Sequence, residues 1–177
     1  MSNLLKEMKQ SSPVKALLKE FANNPNWRLD VESFRKEVVN AHVHRPIKSL
    51  DLRKARQLEK VIDANLKDQG TRSRLVEIMI TCRKVHNEIT RQLDSVREML
   101  MLRYRSSMGV YRSREDRVKL INYGLFKEVN KYLTELEQLE DNILLIVEDI
   151  DKAGYTLQRL VNMLNLTVDR NAKERSL

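Results

Sequence analysis

The sequence is poor in the residues that end helices and form turns. Its 177 residues include only 4 glycines and 3 prolines, and aromatic residues make up 5% of the chain. Proteins built from strands and tight turns use more of these residues, so the composition favours a nearly all-helical fold. Hydrophobic residues reach 41%, which excludes a disordered polycation.

Cysteine and long apolar runs are also scarce. The one cysteine, Cys82, cannot form a disulfide within the chain. The longest apolar run, Ile143 to Val147, is far shorter than the roughly 20 residues that span a bilayer. The first residues lack the apolar segment of a signal peptide. We therefore expect a soluble protein without a membrane partner, located in the cytoplasm, or in the host cytoplasm if the chain is viral.

The sequence lacks the common catalytic signatures. It has no Gly-rich phosphate loop, no Gly-x-Ser-x-Gly elbow, no His-Glu-x-x-His and no Cys-x-x-Cys. Cys82 and His86 lie four residues apart, but Cys82 falls on an apolar stripe and is expected to be a core residue rather than a zinc ligand. We expect a non-enzymatic protein with no catalytic residue, no metal site and no cofactor.

Two segments carry apolar residues at the alternating spacings of a heptad repeat. Gly70 and Thr71 are read as a helix stop and a new cap, and the first stripe is Leu75, Ile78, Cys82, Val85, Ile89, Val96 and Met99, interrupted by Gln92 with Leu93 and Leu100 beside it. The second stripe has a single stutter at Leu125 and comprises Val118, Ile121, Leu125, Val129, Tyr132, Leu136, Leu139, Ile143, Ile146, Ile150, Ala153, Leu157, Leu160 and Leu164. The pattern predicts an all-α fold, a long antiparallel, coiled-coil-like helical hairpin over residues 71–168.

Residues 1–70 read as an N-terminal arm of short helices. Asp30 is a candidate cap for one of them. A further helix is expected from Ser49 or Leu50, with Leu52, Ala55, Leu58, Ile62 and Leu66 on its buried face. Residues 169–177 lose the apolar pattern and are expected to fray.

The second run is longer than the first. Folding back about the turn places Tyr104 near Val118 and Leu75 near Val147, which leaves residues 148–168 to pack on the helix of residues 50–66, on the N-terminal arm or on another subunit. We favour a combination that includes another subunit, and expect a homo-oligomer, because the core of a two-helix hairpin is thin. The predicted oligomer contact is Ile150, Ala153, Gly154, Leu157, Leu160 and Leu164.

Charge along the second run is uneven. Seven carboxylates lie between Glu135 and Asp151 without a histidine at ligand spacing, and the antiparallel register brings them near Arg72, Arg74, Arg83 and Lys84. Charge pairing is therefore favoured over a metal site.

The turn between the two runs, residues 103–114, is basic. The whole chain has 33 Lys and Arg against 25 Asp and Glu, a net charge of +8, which favours a polyanionic partner or serves solubility. Arginines bind phosphate oxygens, serines donate hydrogen bonds, and tyrosines stack on unpaired bases. The candidate nucleic-acid-binding residues are Arg103, Tyr104, Arg105, Ser106, Tyr111, Arg112, Arg114, Arg117 and Lys119. The alternative is that Tyr104 closes the coil, Ser113 caps the next helix and the arginines are a solvated tip.

A helix that ends in the turn Tyr104 to Gly109, followed by a very long helix with Asp151-Lys152-Ala153-Gly154-Tyr155-Thr156-Leu157 near its end, resembles the UvsY-type phage recombination mediators. The likeness covers about residues 50–168 and departs from the family in the N-terminal extension and in the turn. The resemblance implies a homo-oligomer that binds single-stranded DNA, helps to load a recombinase and contacts DNA through Arg103, Tyr104, Arg105, Ser106 and Arg112.

Three functions are therefore open. The first is an oligomerising accessory protein that binds single-stranded nucleic acid, with DNA as the expected ligand, and acts as a recombination mediator. The second is a viral structural or assembly protein, such as a packaging subunit or a particle or tail component of a larger assembly. The third is a helical secretion chaperone or adaptor.

Overall fold

The computed structural model describes residues 3–45, 58–109 and 113–174, and within these ranges every regular element is a helix. The helices are α1 (Asn3–Gln10), α2 (Ser12–Asn23), a 3₁₀ turn (Pro25–Trp27), α3 (Val31–Val43), α4 (Leu58–Arg103), α5 (Arg114–Leu125) and α6 (Lys127–Glu174). Helix α4 packs against α6 as a helical hairpin, so the predicted all-α hairpin is confirmed.

The chain divides into two compact units, each built from the arm and from both long helices. The first unit combines Met1–Phe34 with Met79–Glu140, and the second combines Arg35–Ile78 with Asp141–Leu177. The predicted boundary at residue 70 lies inside α4, which continues through it. Helix α6 extends to Glu174, into the tail of residues 169–177 that is predicted to fray.

In the first unit the arm packs on the hairpin through α6. The ring of Phe21 meets the ring of Tyr132 edge to face at 5.7 Å between centroids, and the backbone N–H of Leu29 donates to the Tyr132 hydroxyl at 2.9 Å. Asp30 caps α3 as predicted, since its Oδ1 accepts from the N–H of Ser33 at 2.9 Å.

The antiparallel register of the hairpin agrees with the prediction. Arg83 of α4 donates to Glu140 of α6 at 3.0 Å within the first unit, and Arg72 donates to Asp151 at 2.6 Å within the second. The predicted charge pairing is confirmed for these two arginines. Arg74 pairs instead with Glu37 of α3, at 2.7 Å.

One part of the α4 stripe differs from the prediction. After Ile89 the buried residues are Leu93, Val96 and Leu100, whereas Met99 is 44% exposed. Gln92 lies at the side of the core and donates to Glu20 and Glu88. The buried stripe therefore takes two consecutive four-residue steps at Ile89, a stutter that buries the apolar Leu93 in place of the polar Gln92 and keeps Val96 in the core.

Cys82 is a fully buried core residue, as predicted. Burial, with the nearby Glu140 carboxylate, raises the pKa of its thiol to about 11. Because the thiolate is the reactive form, we expect Cys82 to react with Ellman's reagent at pH 8 at least about a hundredfold more slowly in the native protein than in guanidinium chloride. Equal rates in the two conditions would contradict a packed core around Cys82.

The second predicted run is divided at the stutter position. Helix α5 ends at Leu125, Phe126 leaves helical geometry with φ −118° and ψ 27°, and α6 starts at Lys127. Phe126 is fully buried, and its carbonyl accepts from the N–H of Asn130 at 2.9 Å. At the position where the heptad pattern breaks, the helix is therefore interrupted, and the aromatic side chain of Phe126 is buried there.

In the second unit α4 begins at Leu58, and Gly70 does not end it. The predicted buried face of this segment is wrong, since Ile62 is 48% and Leu66 65% exposed, while Val61, Ala64 and Asp68 are buried. Of the predicted stripe, Leu52 and Ala55 lie outside the described residues, and only the backbone of Leu58 is described. Glycine within a helix costs about 1 kcal/mol relative to alanine, and a Cβ at Gly70 would meet no atom within 4 Å.

A buried ion pair joins α3 to the hairpin in this unit. The Arg45 guanidinium donates to Oδ2 of Asp68 from Nε at 3.2 Å and from Nη2 at 3.0 Å, and from Nη1 to Asp149. The side chains of Arg45 and Asp68 are 2% and 1% exposed. Oδ1 of Asp68 has no hydrogen-bond partner among the described residues.

The residues assigned to an oligomer contact have a partner within the same chain. Ala153, Leu157 and Leu160 pack against Val61 and Ala64 of α4. Ile150 is buried, and Gly154 is half-buried opposite Asn65 and Gln69, where a Cβ would make ordinary contacts. The side chain of Leu164 lies outside the described residues. Of the partners predicted for this stretch, the helix that includes residues 58–66 is therefore one, and a contact with another subunit stays a prediction.

Across the described ranges, no helix combines the length and the apolar character needed to cross a membrane.

Candidate functional site

The basic turn continues from the last turn of α4 and is anchored by two buried side chains. Tyr104 is 6% exposed and Met108 is fully buried. The N–H of Tyr104 donates to the Leu100 carbonyl and the N–H of Met108 donates to the Tyr104 carbonyl, both at 2.9 Å. These bonds extend helical pairing past Arg103 and hold the turn against the hairpin.

The prediction that Tyr104 stacks on a base is wrong, because its ring belongs to the core. The Arg103 guanidinium carbon lies over this ring, 5.6 Å from the ring centroid. A signal for this placement exists in the sequence, since Leu100, Tyr104 and Met108 follow one another at four-residue spacing. The alternative in which Tyr104 closes the coil is confirmed for this residue.

Around this anchor the polar side chains of the turn face outward. Arg103, Arg105 and Ser106 are exposed, and neither arginine has a carboxylate partner among the described residues. The predicted residues Tyr111 and Arg112 lie outside those residues. Arg103 and Arg105 therefore present two guanidinium groups at the end of the hairpin.

The start of α5 is fixed by a cap and an ion pair. Ser113 accepts from the N–H of Asp116 at 3.0 Å through its Oγ, with Glu115 and Asp116 in the first helical turn. Arg114 is bound to Glu98 of α4. Glu98 therefore neutralises the charge of Arg114, one of the predicted nucleic-acid-binding residues.

A groove of about 530 Å³ lies between α4 and α5 beside this ion pair. Its charged lining is balanced, with three cations and three carboxylates. The residues are Arg97, Arg114 and Lys119, then Asp94, Glu98 and Glu115, with Met101 and Val118 as apolar members. Arg97 is held by Asp94, Asn122 and Asn130. The lining of this groove therefore carries no net positive charge that would attract an anion.

Lys119 also borders a second groove, of about 420 Å³, on the other side of α5. Tyr123, one helical turn further along, lines the same groove and is 78% exposed. The close packing of α1 on α5 forms the groove wall, because a Cβ at Gly124 would lie only 2.6 Å from a Leu5 methyl carbon. An exposed aromatic ring and an exposed ammonium group therefore share one face of α5.

Sequence reasoning missed Tyr123. The residue lies between Ile121 and Leu125, both of which were assigned to the apolar stripe, so its position already indicated an outward ring. Of the remaining predicted residues, Arg117 is half-buried and has its own interactions, and Lys119 is exposed. The structure thus retains Arg103, Arg105, Ser106 and Lys119 as available groups and adds Tyr123.

The exposed cations of the turn and of α5 differ from the arginines along the hairpin, which are paired with carboxylates. Arg72, Arg74 and Arg83 each pair with a carboxylate. For Arg72 and Arg74 the hydrogen-bonded carboxylate raises the guanidinium pKa further. An anion that approaches the turn meets cations that do not first have to give up a carboxylate of the described chain.

The chain matches no protein-family model, and it shows no significant similarity to a curated protein or to a solved structure.

Proposed function

We propose that the protein binds single-stranded nucleic acid at the end of its helical hairpin. The carrying observation is that two exposed arginines without a carboxylate partner among the described residues follow the end of α4, and that an exposed tyrosine ring lies beside an exposed lysine on α5. Arg103, Arg105 and Lys119 are exposed, and Tyr123 lies one helical turn from Lys119 on the same groove. This combination of phosphate-binding cations with a stacking surface is typical of single-strand binding.

Each group has a distinct role in the proposal. The guanidinium groups of Arg103 and Arg105 bind phosphate oxygens with two hydrogen bonds each. Lys119 neutralises a further phosphate, and Tyr123 stacks on a base. Because stacking on Tyr123 needs an unpaired base, the proposed ligand is a single strand, and DNA is the first ligand to test.

In this proposal the protein is non-enzymatic and assists another protein. The resemblance of its long-helix layout to UvsY-type recombination mediators supports a place beside a recombinase. On this proposal the hairpin end binds the strand, and the rest of the molecule holds partner subunits or the recombinase.

Fluorescence anisotropy with a labelled oligothymidylate tests this proposal. We expect binding at 50 mM salt, and a slope of log affinity against log salt of about −2 or steeper, since three cations release condensed counterions at about 0.7 per phosphate. Duplex DNA of the same length should bind more weakly, because its bases cannot stack on Tyr123. No binding at 50 mM salt would refute the proposal.

A viral structural or assembly protein is a second candidate function. It is supported by exposed large apolar side chains in the second unit, where Val39, Val43, Ile62, Leu66, Leu144, Leu145, Tyr155 and Met163 are each at least 44% exposed. A large assembly by light scattering, together with no binding to the oligonucleotide, would favour this function over the first.

A further inference from the structure

The exposed face of α4 in the second unit carries two apolar side chains followed by a glycine. Ile62, Leu66 and Gly70 follow at four-residue spacing, so they lie on neighbouring positions of one helix face. Ile62 and Leu66 are 48% and 65% exposed. This face lies away from the buried residues Val61, Ala64 and Asp68, which contact the rest of the unit.

No contact among the described residues accounts for Gly70. It lies inside the 46-residue helix α4, its backbone is helical rather than left-handed, and a Cβ would meet nothing within 4 Å. Alanine would fit and would favour the helix. The open space at Gly70 can accept a side chain from outside the described residues.

The three residues are self-complementary about Leu66. In an antiparallel pair of α4 helices related by a two-fold axis at Leu66, each Leu66 meets its counterpart. Ile62 of one copy then lies at the level of Gly70 of the other, where the missing side chain leaves room for it. An isologous contact of this kind needs one patch that complements itself, and this patch does.

Charges beside the patch fit the same symmetry. Asp63 and Lys67 flank Leu66 and bond to each other at 2.8 Å, with side chains 64% and 63% exposed. In the antiparallel pair, Asp63 of each copy lies within reach of Lys67 of the other, so both charges keep an opposite partner.

We propose that the protein self-associates through an antiparallel, two-fold contact of α4 centred on Leu66, with a second copy of this chain as the occupant. The contact covers about three helical turns and is smaller than a standard stable interface. The dimer is therefore weak and reversible, and it forms at high protein concentration or where several copies are bound side by side. The inference does not depend on nucleic-acid binding.

Gly70→Ala separates this proposal from a purely intrachain role of the glycine. In dilute protein we expect the variant to unfold at a temperature roughly 2–4 °C higher, because alanine favours the helix and meets no neighbour. In concentrated protein we expect at least about tenfold weaker self-association, because the added methyl groups occupy the space for Ile62. The same substitution thus stabilises the monomer and weakens the dimer.

Sedimentation equilibrium of the full chain, from micromolar to near-millimolar concentration, measures the association. Leu66→Asp should abolish the dimer. Leu145→Asp on α6 is the matched control, because Leu145 is equally exposed at 65%, and it should leave the dimer unchanged. The proposal is overturned if the wild-type chain stays monomeric at all concentrations, if Gly70→Ala associates as strongly as wild type, or if both aspartate variants lose the dimer equally.

Discussion

Replacing Arg45 by methionine should lower the free energy of unfolding by about 3–5 kcal/mol, because it leaves the buried carboxylate of Asp68 without its cation. Asp68 is 1% exposed, and both of its short contacts come from the Arg45 guanidinium. Water cannot replace these bonds at a buried site without rearrangement of the packed helices. Urea or guanidinium denaturation followed by circular dichroism measures the change.

Two control variants show whether the buried pair is the cause. Arg72→Met removes a cation from an exposed pair with Asp151, whose side chains are 37% and 48% exposed, and should cost less than about 1 kcal/mol. The double variant Arg45→Met with Asp68→Leu should recover most of the loss, since it removes both buried charges. A loss for Arg45→Met no larger than for Arg72→Met would contradict the buried pair.

Replacing Arg103 and Arg105 together by alanine should weaken binding of single-stranded DNA by roughly 10- to 100-fold at low salt. Each arginine supplies charge-assisted hydrogen bonds to phosphate, and neither has a carboxylate partner in the described chain. The slope of log affinity against log salt should become less negative by about 1.4, as expected for two lost phosphate contacts. Anisotropy with the same oligonucleotide measures both quantities.

The control for this pair is Arg91→Ala. Arg91 also lies on α4 and is 77% exposed, but it pairs with Glu88 at 3.0 Å, an interaction that lowers the Glu88 pKa. Its removal should change the affinity by less than about twofold. If Arg91→Ala weakens binding as much as the double variant does, the protein binds through general positive charge and not through the end of the hairpin.

The stacking residue has its own variant. Tyr123→Ala should lose roughly 1–3 kcal/mol of binding free energy, the usual contribution of an aromatic ring under one base. Tyr123→Phe should retain most of it, because the ring remains. An unchanged affinity for Tyr123→Ala would remove the aromatic ring from the proposed interface and leave a purely electrostatic one.

The hairpin and its register could be predicted because they rest on local periodicity. Apolar residues at heptad spacing define which face of each long helix is buried, and antiparallel closure through the turn then fixes which residues are opposite one another. The stutter at Leu125 likewise marked the position of the kink. These features depend on side-chain size and spacing, which the sequence displays directly.

The start of α4 could not be read in the same way. The stripe before Leu75 contains Ala64 and Asp68, and Asp68 is buried only because Arg45, 23 residues earlier, neutralises it. A pairing of this kind depends on tertiary structure, whereas Gly70 by itself indicates a helix stop, so the sequence pattern does not predict one continuous helix. The continuation of α4 through Gly70 places Val61 and Ala64 beside Leu157, so the predicted packing on the helix of residues 50–66 occurs within the chain.

The candidate site was found in outline but not in its aromatic component. The exposed Arg103 and Arg105 follow from their off-stripe positions, while Tyr104 continues the core spacing and is buried. Tyr123 lies outside the basic turn, and the contribution of α5 depends on how α1 and α5 pack, which the sequence does not display. The sequence thus indicates which segment is rich in basic residues, and the structure shows which of their side chains are exposed.

The most direct test is hydrogen–deuterium exchange of the 177-residue chain with and without a saturating single-stranded oligonucleotide. The proposal predicts slower exchange in peptides from the turn after Arg103 and from the α5 segment around Lys119 and Tyr123, with no change in peptides from residues 80–92 of α4. Slower exchange only outside the turn and α5, or no change anywhere under conditions of saturation, would contradict nucleic-acid binding at the end of the hairpin.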